Sequence, residues 1–179
     1  MLLENERIKL RAPEPEDLDS LYKWENDTSL WHLGSTLTPF SRFELKQYLL
    51  STKDIYEAKQ LRLIIEIKQE QDIFKTLAAV GTIDLYDFDA HNSRAAIGIM
   101  IDKAFQQSGL ATEALSLLCK YAFSFLKLHQ LYAFIPVKNN PCIKLFKGCG
   151  FKEKGTLSDW QQTEEGYEEV LLVSLISDI

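Results

Sequence analysis

The sequence predicts a single-domain α/β (α+β) protein, and three observations carry that expectation. With 179 residues, 46% of them hydrophobic, the chain is long enough for one well-buried core, and nothing in its length or composition demands a second domain. Ala95 to Ile101 is a short apolar run bounded by polar residues, as a buried strand should be, and an amphipathic pattern begins at Ala111. Strand-like runs and helix-capping signals also alternate along the whole chain, with no repeats and no low-complexity segment.

A first strand is expected ahead of Pro13, and Leu18, Leu21, Tyr22 and Glu25 after Pro15 mark a first helix by their apolar spacing. The second helix is announced by a capping box, Ser41-Arg42-Phe43-Glu44, with Phe40 and Leu45 where a hydrophobic staple would sit. Leu61 to Ile67 and Leu77 to Phe88 are rich in Leu, Ile and Val and read as strands joined across a polar hinge, Lys68 to Lys75. The strand at Ala95 to Ile101 ends at Asp102 and Lys103. In the helix that follows, Ala114, Leu118, Tyr121 and Phe125 recur on one side and Glu113, Ser116, Lys120, Ser124 and Lys127 on another. Leu131 to Val137 is the next strand. A short helix follows, for which Asn140 is the expected N-cap, Pro141 the first helical residue and Gly150 the left-handed stop. Phe151 to Leu157 and Tyr167 to Leu175 close the chain as strands around a polar loop, Gln161 to Gly166.

The most informative stretch lies between strand and main helix. Ser108, Gly109 and Ala111 carry little or no side chain, so the free amides of the helix's first turn can approach an anion, with phosphate the natural guest. A tight turn with no ligand is the alternative. No Gly-Lys-Ser/Thr follows and only one glycine is present, which excludes the Walker loop and the dinucleotide fingerprint. The segment Gln106-Gln107-Ser108-Gly109-Leu110-Ala111, continued by Thr112-Glu113-Ala114, resembles the Gln/Arg-x-x-Gly-x-Gly/Ala signature of the GNAT acyltransferase superfamily. Downstream, Val137 to Phe151 is similar to a second motif of that family, Asn-x-x-Ser/Ala and a short helix ending in Gly-Phe. Arg7 to Pro13 with Glu16-Asp17 and Trp24 to Asp27 resemble the start of the branch holding ribosomal-protein alanine and spermidine acetyltransferases.

That resemblance covers nearly the whole chain and implies one domain over residues 1–179. The expected fold is a mixed sheet of about seven strands with helices on both faces and a splay between strands 4 and 5. The splay would lie between Ile97 to Ile101 and Leu131 to Pro136, with the pantetheine arm pairing to free backbone near Ile99, Met100 and Ile101. The implied reaction is direct transfer of the acetyl group of acetyl-CoA to a primary amine on a small molecule, a polyamine or a protein N-terminus. Gln106 to Thr112 would hold the pyrophosphate, and amides near Met100 and Ile101 would polarise the thioester carbonyl. Asn139 corresponds to an Asn that bonds the pantetheine arm or the sheet edge; a plain turn residue is the other reading.

The acid and base are open. Ala95 and Ala96 stand where some members place a glutamate, which leaves Asp84, Asp87 and Asp89 as the nearest acidic cluster, able to deprotonate an ammonium, to bind it, or only to be solvated. Phe146 replaces the tyrosine that protonates the departing thiolate in many members. Cys142, at a helix start whose field would lower a thiol pKa, is either the substitute acid or a small packed residue. These two departures support a second reading, a non-catalytic acyl-CoA-binding module.

Charge and cysteines bound the rest. A net charge of −6 argues against nucleic acid and is compatible with cationic amines. No apolar run approaches the ~20 residues of a membrane span, and the charged stretch Met1 to Arg11 is unlike a signal sequence, so a cytoplasmic monomer or homodimer without a membrane partner is expected. Cys119, Cys142 and Cys149 lack Cys-x-x-Cys spacing, and His32, His91 and His129 show no mutual spacing, so neither disulfides nor a metal is expected. Trp24, Trp31 and Trp160 read as core or lid residues, with Trp31 a possible wall of an acceptor pocket.

Overall fold

The computed structural model describes residues 2–33, 36–51, 53–68 and 78–177. Its centre is a mixed seven-stranded sheet, β1 (Ile8–Arg11), β2 (Leu61–Ile67), β3 (Ala78–Asp89), β4 (Arg94–Ile101), β5 (Gln130–Pro136), β6 (Lys152–Thr163) and β7 (Gly166–Ile176). The spatial order is β1-β2-β3-β4-β5-β7-β6, antiparallel throughout except for the parallel pair β4 and β5. Among the described residues six helices surround it: α1 (Leu18–Glu25), α2 (Thr28–Trp31), α3 (Arg42–Leu50), α4 (Ile55–Ala58), α5 (Leu110–Ser124) and α6 (Asn140–Gly148).

Alternation along the strands divides the side chains between the two faces of the sheet. Ile8, Leu10, Leu63, Ile65, Ile83, Leu85, Ala95 and Ile97 meet Leu110, Ala114, Leu115 and Leu118 of α5 in the main core, which Phe146 of α6 joins. On the opposite face a smaller cluster packs Leu21 and Trp24 of α1 and Leu45 of α3 onto Ile64, with Met100 beside them. That face is therefore helix-covered over β2 to β4. Among the described residues no helix is long and apolar enough to cross a membrane.

Two bulges set what the site presents. Where Ile65 pairs with Gly81 and Glu66 with Ala79, Val80 is the extra residue of β3; its carbonyl accepts the amide of Asp102 at 2.8 Å and so anchors the end of β4. A Cβ on Gly81 would stand 2.1 Å from the Met100 carbonyl oxygen, so only glycine permits this approach. The second bulge falls between Tyr86 and Asp89, where Asp87 takes φ 48°, turning Phe88 into the main core and leaving Asp87 exposed.

The capping box of α3 forms as the sequence demands, with Ser41 and Glu44 reciprocally bonded. Differences elsewhere are local. The one-turn helices α2 and α4 were not foreseen; each is started by an aspartate cap, Asp27 and Asp54, that no longer apolar stripe accompanies. The cap of α6 is Asn139, not Asn140: its side chain accepts the Cys142 amide at 3.3 Å, which places Asn140 and Pro141 in the first turn. Strands β6 and β7 run on through most of the expected Gln161 to Gly166 loop, leaving a two-residue turn at Glu164 and Glu165. Most of the hinge Lys68 to Lys75, and Leu77 of the following strand, lie outside the described residues.

Candidate active site

Strands β4 and β5 pair over three rungs only, Arg94 with Gln130, Ala95 with Leu131 and Ala96 with Tyr132. Beyond Ala96 they part, although β4 stays paired to β3 as far as Ile101 and β5 to β7 as far as Pro136. The edge of β4 from Ile97 to Ile101 thus faces a gap in the sheet, where main-chain donors and acceptors await a partner. Ile99, Met100 and Ile101 lie on this edge, where the sequence analysis put them.

Below the gap, β4 runs into the loop that starts α5. Asp102 caps a single 3-10 turn, Lys103–Phe105, and also accepts from Lys23 Nζ at 2.6 Å and Trp24 Nε1 at 2.8 Å; the lysine, then the indole, hold its carboxyl down at about 2. Gln106 donates back to the Ile101 carbonyl at 3.1 Å. Gln107 and Gly109 both take left-handed backbone, φ 59° and 81°, and Gly109 is the N-cap of α5 without any side-chain cap. Its carbonyl accepts the amides of Thr112 and Glu113, whereas those of Leu110 and Ala111 have no protein acceptor among the described residues. Unpaired amides, a left-handed turn and the positive end of a 15-residue helix together present main-chain donors of the kind that suit an anion.

One side chain at this loop was not foreseen. Arg7, about a hundred positions earlier in the chain, donates to the Ser108 carbonyl at 2.6 Å and pairs with Glu113 at 2.5 Å. Its guanidinium nitrogen lies 3.7 Å from where a Cβ of Gly109 would be. The sequence marks Arg7 only within the N-terminal stretch Arg7 to Pro13, with no sign of this contact, and its arrival here depends on β1 packing under α5.

The face of the sheet away from α5 holds the acidic candidates, and the structure separates them. Asp84 is bound on both oxygens by Arg62, at 2.8 to 3.2 Å, and Arg62 also reaches Glu25 at 2.5 Å. Burial opposes the guanidinium charge, but Asp84 and Glu25 overcome it and hold Arg62 protonated above its ordinary range. Asp89 is tied to Asn92 and lies 3.3 Å from Arg94. Asp87 is exposed and has no ion pair among the described residues. Its charge acts on two neighbouring phenols: burial first and Asp87 second push Tyr86 up to about 12, and the same two causes raise Tyr132. The Tyr86 ring lies over Gly98, 3.6 Å from where a Cβ would be.

The second motif supplies packing more than reactive groups. Phe146 is 1% exposed and meets Phe151 edge-on at 4.9 Å, so the tyrosine position is filled by a core ring. The expectation that the helix field lowers the Cys142 thiol is overturned: burial pushes it up to about 11. Asn139 uses its side-chain oxygen as a cap, and its side-chain amide nitrogen has no protein partner among the described residues. Trp24 is buried, Trp31 donates to the Glu25 carbonyl, and Trp160 is exposed. No group of three or more His, Cys, Asp or Glu suited to a metal occurs among the described residues.

Beside the gap, on the face opposite α5 and not covered by α1 or α3, is a cavity of about 350 Å³. It was not anticipated. Tyr132, Phe134 and Leu172 form its apolar walls, Ser174 its floor, and Arg94, Gln130 and Lys154 its polar margin. A register shift in β6 between Leu157 and Gln161 brings Trp160 onto Phe134, stacked at 6.4 Å.

Comparison with known proteins places this geometry. The family model described as Acetyltransferase (GNAT) domain matches residues 7–152. An uncharacterized N-acetyltransferase, p20, of Bacillus licheniformis is 28% identical over 176 residues, covering 97% of this chain and 95% of its own length. The spermidine N(1)-acetyltransferase of Escherichia coli strain K12 is 29% identical over 151 residues, covering 84% of this chain and 75% of that protein. Among solved structures, the spermidine N-acetyltransferase of Vibrio cholerae in complex with CoA and spermine superposes with a TM-score of 0.80 at 26% identity over 96% of both chains.

Proposed function

The chain belongs to the GNAT acetyltransferase family, and from that premise we propose that it moves the acetyl group of acetyl-CoA onto a primary amine, of a protein N-terminus or of a small amine or polyamine, by direct attack. The observation that carries this reading is the parting of β4 from β5 after Ala96, directly above the uncapped start of α5. Diphosphate oxygens would accept from amides in the Gln106 to Thr112 loop, with Arg7 adding a cation. The pantetheine arm would pair with β4 from Ile99 to Ile101, and the thioester oxygen would take main-chain amides near Met100 and Ile101. Such donors, fixed beforehand by the sheet, stabilise the oxyanion as it forms.

Asp84 is engaged with Arg62 on both oxygens, and Asp87 lies level with Ala95 and Ala96, four residues along β4 from Met100, so proton removal from the ammonium is assigned to Asp87 acting through water rather than directly. Asp84 acts instead as a positioning residue that fixes Arg62 and, through Glu25, the end of α1. Cys142 is assigned to packing. A thiol near 11 would protonate a coenzyme thiolate of ordinary value only uphill, by about 3 kcal/mol, so the coenzyme departs as its thiolate without a proton from Cys142.

One specific observation favours the second reading, a non-catalytic acyl-CoA-binding module: the buried Phe146 leaves no hydroxyl at the tyrosine position. Two measurements separate the readings. Saturating CoA should raise the melting temperature of the protein, and free CoA should be released from acetyl-CoA in the presence of a panel of amines and peptides. Melting that ignores CoA defeats both readings. A CoA-stabilised protein with no turnover leaves the binding module.

A further inference from the structure

The loop that starts α5 keeps its acceptors occupied and its donors open. Four of its carbonyls are taken by protein donors: Asp102 accepts the Phe105 amide, Phe105 the Ser108 hydroxyl, Ser108 the Arg7 guanidinium, and Gly109 the amides of Thr112 and Glu113. The amides of Gly109, Leu110 and Ala111 have no protein acceptor among the described residues. Of those four carbonyls, only that of Ser108 depends on a residue from elsewhere in the chain.

That carbonyl belongs to the peptide joining Ser108 to Gly109, whose N–H points to the opposite side of the same plane. Rotating this one plane would exchange a donor for an acceptor beside the Leu110 and Ala111 amides. Gly109, at φ 81°, has no Cβ to oppose such a rotation, so the plane needs an external hold. Arg7 supplies it through Nη2, while its Nη1 pairs with Glu113 Oε1 at 2.5 Å. The other Glu113 oxygen accepts Asn5 Nδ2 at 2.9 Å. The main chain of Arg7 is fixed as well: its amide donates to Asn5 Oδ1 at 2.9 Å, and its carbonyl accepts the Lys68 amide at 2.8 Å. Only a forked guanidinium presents two nitrogens in one plane to span a carboxylate and a carbonyl; a lysine offers a single nitrogen.

We propose that Glu113 and Asn5 are positioning residues for coenzyme binding, acting through Arg7: the three together hold the Ser108–Gly109 peptide with its N–H on the side of the Leu110 and Ala111 amides. The Arg7 and Glu113 side chains are 46% and 26% exposed, and an ion pair so open to water adds little to overall stability, so its consequence is local. By charge alone a carboxylate in the first turn of α5 would repel a diphosphate. Here it earns its place by holding Arg7. The charge that Arg7 brings is met by Glu113, so its grip on the carbonyl outweighs its cation. The inference rests on the acetyl-transfer reading above.

The test is calorimetric titration of the protein with CoA and with pantetheine, which lacks the diphosphate. Glu113→Ala should weaken CoA about fivefold, although it removes a negative charge beside an anion, and Asn5→Ala about threefold. Arg7→Lys should weaken CoA about tenfold although the charge is kept. Glu113→Gln, which retains an acceptor for Arg7, should bind CoA within about twofold of the parent. Pantetheine should not separate any of these variants from the parent, and melting temperatures without ligand should confirm that all of them fold. Tighter CoA binding by Glu113→Ala would make Glu113 only a rival for the Arg7 cation and overturn the inference, as would Arg7→Lys binding like the parent. Losses shared equally by CoA and pantetheine would overturn it in favour of a general structural role. A parent that binds CoA beside variants that match it sinks the positioning role alone. A parent that ignores CoA sinks the acetyl-transfer reading with it.

Discussion

The gap between β4 and β5 is bordered by two surfaces of unlike construction. Toward α5 the polar groups are main-chain atoms: the β4 edge from Ile97 to Ile101, the amides of Leu110 and Ala111, and the left-handed turns at Gln107 and Gly109. On the other face they are side chains gathered from β2, β3, β5, β6 and β7, part of them neutralising one another and part left open around the cavity. A main-chain site depends on backbone conformation and tolerates many side chains, which suits a cofactor that does not change. A side-chain site changes with each residue, which suits an acceptor that does.

The strongest way to break the main-chain surface is Gly109→Glu. At φ 81° an L side chain is strained, and a carboxylate there would repel the anion that the helix start attracts. CoA affinity measured by calorimetry should fall by at least about 100-fold, with circular dichroism showing an unchanged fold. Unaltered affinity would mean that the loop is only a turn.

The side-chain surface is tested next, at Asp84. Asp84→Ala leaves Arg62, largely buried, with Glu25 as its remaining partner, and should cost about 2 to 3 kcal/mol of stability by denaturant titration. The folded variant should keep the parent's pH profile of kcat. A shifted profile with intact stability would instead make Asp84 the base. A smaller effect is expected from Asn139→Ala, which removes one helix cap and should lower stability by about 1 kcal/mol while KM for acetyl-CoA stays within about twofold. A larger rise in KM would return Asn139 to the pantetheine arm.

The same contrast explains what could be read from the sequence. The small residues Ser108, Gly109 and Ala111 between an apolar run and an amphipathic pattern state a backbone geometry locally, and the capping box at Ser41 does the same for α3. The gap itself was legible only through resemblance, since nothing in Ile97 to Ile101 says which strand will be missing beside it. The cavity was not legible at all. Ser174, Tyr132 and Lys154 meet because of strand order and a one-residue bulge, and a shift of one residue would send Ser174 to the other face. Arg62 and Asp84, likewise, are 22 positions apart and meet as a cross-strand pair, so a carboxylate that looks free in the sequence is bound in the fold. The choice of Asn139 over Asn140 as cap turned on a single residue, below what two adjacent asparagines can specify.

The smallest effect belongs to Cys142, which separates packing from chemistry. Its side chain packs at the margin of the main core, and burial holds the thiol up at about 11, so it stays protonated through the range in which the enzyme would be assayed. Cys142→Ala should leave kcat within about twofold, since a thiol that surrenders its proton about 3 kcal/mol uphill adds little to a coenzyme that departs as its thiolate. Stability should respond to pH in the sense set by a raised folded value. The thiol favours the folded state fully below its unfolded value of ~8.5, and that contribution is lost as pH rises toward 11, where the unfolded chain binds fewer protons. The melting temperature of the parent should therefore fall more steeply than that of Cys142→Ala between about pH 8.5 and 10.5. A sharp loss of kcat in this variant, with CoA binding preserved, would put Cys142 among the reacting groups and extend side-chain chemistry to the cofactor's side of the gap.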